Sequence, residues 1–133
     1  MAARARVLIV DDDDAIRETV RFALEEVGYE VDEAADGLAA LRALRTASKP
    51  SVVLLDLMMP GLDGAGVLGA VAADHQISSR HAFVLVTASS KTLTLAFANL
   101  LSSLAVRTLA KPFDVDQLLH VVDEAGKRLT RSA

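Results

Sequence analysis

Three apolar runs of strand length and one shorter, mixed run each lead into a polar residue. Val7-Leu8-Ile9-Val10 leads into Asp11 and Asp12, Val52-Val53-Leu54-Leu55 into Asp56, Phe83-Val84-Leu85-Val86 into Thr87, and the short run 106–110 into Lys111. Continuous apolar runs of this length fit strands buried on both faces, the habit of parallel sheets. Helix-period segments separate them. The spacing predicts strands near 5–10, 30–34, 51–56, 82–87 and 106–109, and helices near 14–27, 37–47, 63–75, 90–104 and 114–129. Five successive βα units imply an α/β, doubly wound, three-layer domain, since right-handed crossovers cover both faces of one parallel sheet. In the strand order 2-1-3-4-5, strands 1 and 3 are neighbours at the switch point. Asp11, Asp12 and Asp56 then meet at the carboxyl edge, where open α/β sheets bind ligands.

The first helix carries the clearest pattern. Ile16, Val20, Ala23, Leu24 and Val27 form its apolar stripe, and Arg17, Glu18, Arg21 and Glu25 are expected to face water. Asp13 and Asp14 suit its N-terminus, and Gly28 its C-terminal stop. The last helix repeats the stripe with Val115, Leu118, Leu119, Val122 and Leu129, and Asp114 is placed to cap it.

At 133 residues the chain can bury one substantial core. It has no cysteine, hence no disulfide or thiolate metal site, and no apolar stretch of membrane-spanning length. The N-terminal residues lack the apolar middle of a signal peptide, and a cytoplasmic location is expected. Net charge is −4, which equals the contribution of Asp11 to Asp14 alone. The acidity is therefore local, and without a basic run no nucleic-acid partner is expected.

Those residue types at matched strand ends define a chemistry. Clustered carboxylates repel and raise one another's pKa. A hard cation relieves this, and Mg²⁺ favours one or two carboxylates, waters and a phosphate oxygen. Asp56, in Leu54-Leu55-Asp56-Leu57-Met58-Met59-Pro60-Gly61, reads either as a strand-end turn former or as a nucleophile for a phosphoryl group. Thr87 and Lys111 could then meet phosphoryl oxygens.

The ordered set resembles the response-regulator receiver domain of two-component signalling. The pieces that carry the resemblance are Val7-Leu8-Ile9-Val10-Asp11-Asp12-Asp13, Leu54 through Gly64, Val86-Thr87-Ala88 and Ala110-Lys111-Pro112-Phe113, with Gly28-Tyr29-Glu30-Val31 and Ala34-Ala35-Asp36-Gly37 as weaker ones. It spans essentially the whole chain and implies a (βα)5 flavodoxin-like fold. It also implies that Asp56 takes a phosphoryl group from a histidine kinase or phosphotransfer protein. Mg²⁺ (or Mn²⁺) would sit on Asp11, Asp12, Asp56 and the backbone carbonyl of Met58. Thr87 would be the switch hydroxyl and Lys111 the phosphate-pairing ammonium, and the Lys111-Pro112 bond resembles one that is cis in the family. The expectation is a stand-alone, single-domain signalling protein over 1–133 rather than an enzyme, apart from its own phosphorylation and slow dephosphorylation. Its output would pass to an unknown protein target, or a second copy of the chain, through the fourth helix, fifth strand and fifth helix.

Some features depart from that pattern. Thr108 stands where the family usually has Tyr or Phe. Leu104-Ala105 replaces a Gly-Ala turn, and about two extra residues separate Thr87 from Lys111 relative to common members. No charge occurs from Thr92 to Val106. Leu93, Phe97, Leu100, Leu101 and Leu104 there form a stripe read as core, and the uncharged opposite face is read as a docking or dimer surface. Met58 and Ser89 flank the site, where side chains position or block water; Met58 offers water no good hydrogen bond, so a long-lived acyl phosphate is expected. His75, His81 and His120 lack metal-ligand spacing and are read as surface or boundary residues. The rivals are a haloacid-dehalogenase-like Mg-dependent phosphatase, whose Asp-x-Asp motif after the first strand is not matched here, a flavodoxin-like electron carrier, and a phosphorylation-independent adaptor.

Overall fold

The computed structural model describes residues 5–88 and 94–131. The elements run β1 (Arg6–Val10), α1 (Asp14–Glu26), β2 (Val31–Ala34), α2 (Gly37–Thr46), β3 (Ser51–Asp56), α3 (Gly64–Ala72), α4 (His75–Arg80), β4 (Ala82–Thr87), α5 (Leu95–Ser103), β5 (Arg107–Ala110) and α6 (Val115–Arg131). The strands form one five-stranded parallel sheet in the order β2-β1-β3-β4-β5, as the alternation of strand and helix patterns predicts. The fourth and fifth helices of the sequence reading are α5 and α6.

Side chains alternate across a strand, so each apolar run supplies two cores. Leu8, Val10, Val53, Leu55, Phe83 and Leu85 pack with residues of α2, α3, α4 and α5. Val7, Ile9, Val52, Leu54, Val84 and Val86 pack with Val20 and Leu24 of α1 and with Leu118, Val122 and Ala125 of α6. Both faces of β3 are therefore covered, and its six residues are all buried.

Helix ends follow local chemistry. Asp13 is the N-cap of α1, accepting from the amides of Ala15 at 2.9 Å and Ile16 at 3.1 Å. Asp14 is already the first helical residue. Asp114 and Gln117 exchange bonds of 2.9 and 2.8 Å at the start of α6, a reciprocal capping box. Gly28, at φ +96°, ends α1, with its own amide bonded to Glu25 and that of Tyr29 to Leu24. This is the Schellman arrangement, which needs a left-handed residue. At the end of α5 the same pair of bonds runs from Ala105 to Ser102 and from Val106 to Leu101, yet the left-handed position is Ala105 at φ 52°.

The structure corrects four sequence expectations. The helix expected over 63–75 ends at Ala72, because Asp74 accepts from the Gln76 amide and starts the separate α4, which Ile77 anchors in the core. Val27 and Val115 are exposed, since one is the C-cap and the other opens its helix before the packed face begins. Arg17 is largely covered rather than facing water, because the Asp11 carbonyl just past β1 and Glu33 on β2 draw it inward. His81 is only 1 % exposed; its Nδ1 accepts the Ser51 amide at 3.0 Å between β3 and β4. His75 and His120 are exposed as expected.

Candidate functional site

The parallel register places the polar strand ends side by side. Val10 pairs with Leu55 and Asp56 with Val86, so Asp11 and Asp12 leave β1 beside Asp56. Thr87 pairs with Ala110, and the Lys111 amide donates to the Thr87 carbonyl at 2.8 Å. The Lys111-Pro112 bond is cis, in agreement with the resemblance.

Carboxylate oxygens of Asp11, Asp12 and Asp56 lie within 4.8 Å of one another. Asp11 and Asp56 are buried, at 4 % and 7 % exposure, while Asp12 is open to solvent. Lys111 Nζ stands 3.4 Å from Asp56 and 3.8 Å from Asp11, so among the described residues three carboxylates face one ammonium. Burial, and then the charge of Asp11, push the Asp56 carboxyl above its ordinary value, while Lys111 and the Met58 amide pull the other way. The donor set of hard oxygens, one of them solvent-facing, fits a small divalent cation that keeps part of its water shell.

The loop after β3 is tied down at several points. Met59 enters the core while Met58 points to solvent. Gly61 takes φ +73°, which permits the turn after Pro60. Gly64 donates to the Leu57 carbonyl at 2.9 Å. A Cβ on Gly64 would stand 2.7 Å from the Asp56 carbonyl oxygen and 2.8 Å from the Leu57 Cα. This close approach, which sequence reasoning left unread, fixes the start of α3 against the strand end that carries Asp56.

Thr108 is exposed on β5, paired with Leu85 on the same sheet face as Thr87 and Ala110. Phe97, Leu100, Leu101 and Leu104 face the core as expected. Leu95 is exposed on the other side of α5, which bears no charge over its described length. Ser89, Thr92 and Leu93 lie outside the described residues. Among the described residues no helix is long and apolar enough to cross a membrane.

Fold and site together define a class: a parallel α/β domain with an acidic, lysine-bearing pocket at the carboxyl edge of its sheet. Residues 7–123 match the family described as the response regulator receiver domain, and the chain belongs to that family, the receivers of two-component systems. Similar curated proteins include the DNA-binding dual master transcriptional regulator RpaA of Synechocystis sp., 33 % identical over 126 residues, covering 95 % of this chain and 51 % of that protein. The DNA-binding response regulator MtrA of Mycobacterium tuberculosis is 34 % identical over 116 residues, covering 87 % of this chain and 48 % of MtrA. A CheY-like receiver domain structure from Methanospirillum hungatei superposes with a TM-score of 0.83 at 28 % identity, covering 96 % of this chain and 98 % of that one. The chain spans about half the length of these curated relatives. Both are named as DNA-binding, so the expectation of no nucleic-acid partner finds no support among them. Receiver domains bind Mg²⁺ at an acidic pocket and act with histidine kinases, and the family match favours the receiver over the phosphatase and electron-carrier readings.

Proposed function

We propose that this chain is a phosphorylation-controlled protein-interaction switch in which Asp56 accepts a phosphoryl group from a histidine kinase or phosphotransfer protein. The observation that carries this reading is the meeting of Asp11, Asp12 and Asp56 within 4.8 Å, with Lys111 3.4 Å from Asp56. A carboxylate oxygen of Asp56 attacks phosphorus as the bond to the donor nitrogen breaks, and the bonding pair leaves with the donor imidazole. Asp11, Asp12, Asp56 and the Met58 carbonyl would hold Mg²⁺ (or Mn²⁺), which neutralises charge on the transferring oxygens. Lys111 pairs with one of those oxygens, and Thr87 donates its hydroxyl to another.

An apolar groove between Ile16, Thr19 and Val20 of α1 and Pro112-Phe113 shares Lys111 with the site and gives a donor a surface to approach. Phosphorylation adds charge and acceptor oxygens at one edge. Drawing Thr87 and Lys111 toward them biases an equilibrium at the α5/β5/α6 face, whose uncharged α5 surface fits a protein target or a second copy of the chain. With Thr108 in place of an aromatic, the switch would run through the pair Thr87 and Thr108, or through movement of α5 alone.

The test is intact mass after incubation with a small-molecule phosphodonor and Mg²⁺, beside Asp56→Asn. One added phosphoryl group in wild type alone is expected. Addition of equal extent in Asp56→Asn would overturn the assignment.

A further inference from the structure

The site contains a cation that the proposed roles leave unused. The Arg17 side chain is only 12 % exposed and joins three elements. Nη1 donates to the Asp11 backbone carbonyl at 2.6 Å, and Nε to Glu33 on β2 at 3.0 Å. Nη2 pairs with Asp14 at the head of α1. Glu33 is shared with Arg21 at 2.6 Å, and Arg21 reaches Glu25 at 3.1 Å. A chain of ion pairs thus crosses from α1 to β2, and Arg17 ties it to the β1–α1 loop backbone at Asp11.

We propose that Arg17 is a positioning residue for the divalent cation: by clamping the Asp11 carbonyl it fixes the peptide plane between Asp11 and Asp12. That plane sets the direction in which both carboxylates face Asp56. The inference rests on the metal-site reading above. Asp12 is exposed, so the backbone, rather than packing, sets its direction. From the other side the Asp11 carboxylate accepts the Asp13 amide at 2.9 Å, so the loop is gripped at two points. A guanidinium suits this task because its planar fork serves several acceptors at once, which an ammonium on a flexible stem does not.

Electrostatics and positioning predict opposite signs. A fixed positive charge beside an acidic cluster weakens its hold on a second cation, so removing Arg17 by charge alone would tighten Mg²⁺ binding. Loss of positioning loosens it. Groups that orient metal ligands from outside are worth about 10- to 100-fold in affinity. Arg17 acts on the backbone of one ligand pair, so the lower end, about tenfold, is expected.

The experiment is a calorimetric Mg²⁺ titration of wild type, Arg17→Met, Arg17→Lys and Arg21→Met, each also unfolded in urea with EDTA to record intrinsic stability. Arg17→Met is expected to bind Mg²⁺ about tenfold more weakly. Arg17→Lys keeps the charge, supplies a variant if the methionine form does not fold, and is also expected to bind more weakly, because the fork is lost. Arg21→Met breaks the same ion-pair chain away from Asp11 and is expected to stay near wild-type affinity. Wild-type or tighter binding in either Arg17 variant overturns the proposal. So does a loss in Arg21→Met as large as that in Arg17→Met, which would mark a general effect of stability. Absence of saturable Mg²⁺ binding in wild type would instead overturn the metal-site reading on which the inference rests.

Discussion

Replacing Asp56 with Asn should stabilise the metal-free protein at neutral pH while abolishing the proposed phosphoryl transfer. Asp56 is nearly fully buried, and its carboxylate lies within 4.8 Å of those of Asp11 and Asp12. At an effective dielectric constant near 20, a like-charge pair at that separation costs roughly 3–4 kcal/mol. Asp12 is exposed, so its share is screened. The contact with Lys111 at 3.4 Å returns roughly 5 kcal/mol on the same scale. Desolvation adds to the cost of the charge, and it is the leading reason that the Asp56 carboxyl lies above its ordinary value. In Asp56→Asn the ammonium keeps Asp11 at 3.8 Å, so no cation is orphaned. The expected net gain is about 1–2 kcal/mol, or roughly half to one molar in urea midpoint at the slope usual for small domains. The pH dependence has a definite sign. A carboxyl whose folded pKa is raised binds its proton more tightly when folded. The penalty for ionisation is therefore absent below the unfolded pKa and appears as pH rises through the folded one. The advantage of the variant should accordingly fade as pH falls from 7.5 toward 4. Mg²⁺ at about a hundred times its Kd should add nearly 3 kcal/mol to wild type and less to the variant, which lacks one of the proposed ligands. Urea unfolding in EDTA and in Mg²⁺, at several pH values, reads all three. A variant less stable than wild type in EDTA at pH 7.5, or an advantage that grows on acidification, would refute the reasoning.

Four further outcomes are expected. Ala105→Gly should raise stability by about 0.5–1 kcal/mol in urea unfolding, because a left-handed residue ending a helix favours glycine. Gly64→Ala should destabilise the fold by more than 1 kcal/mol and lower phosphorylation on Asp56, since its Cβ would meet the Asp56 carbonyl oxygen at 2.7 Å; wild-type behaviour in both assays would contradict the close approach. His81 is held below its ordinary value of 6.5 by burial first and by Arg80 second, so folding excludes a proton that the unfolded chain binds. In an Asp56→Asn background, stability should fall with acidification below about pH 6.5, by up to about 1.4 kcal/mol per pH unit, and His81→Gln should remove that slope. Met58→Asn should hasten loss of phosphate from Asp56 severalfold, as followed by intact mass over time; an unchanged lifetime would remove Met58 from the account.

Much of this molecule is written locally. The two-residue alternation of Val7 to Val10, the helical stripe of Val20 and Leu24, and the caps at Asp13 and Asp114 depend on neighbours within four residues. A linear reading reaches them directly. The matched polar ends at Asp11, Asp56, Thr87 and Lys111 were legible too, because a parallel sheet brings like ends of its strands to one edge. Val27 and Val115 were misplaced because a period holds only while the helix is both formed and packed.

The sequence by itself determined the layer order, the strands and the edge that carries the acidic pocket, because repeating patterns of polarity decide which faces are buried. Only the tertiary structure decided that Arg17 turns inward to the Asp11 carbonyl, that His81 is sealed beside Ser51, and that Gly64 lies against the carbonyl of Asp56. Each of these depends on an acceptor or a backbone atom brought near by strand pairing and helix packing, from up to 30 residues away in the chain for His81 and Ser51. No local period encodes such a distance.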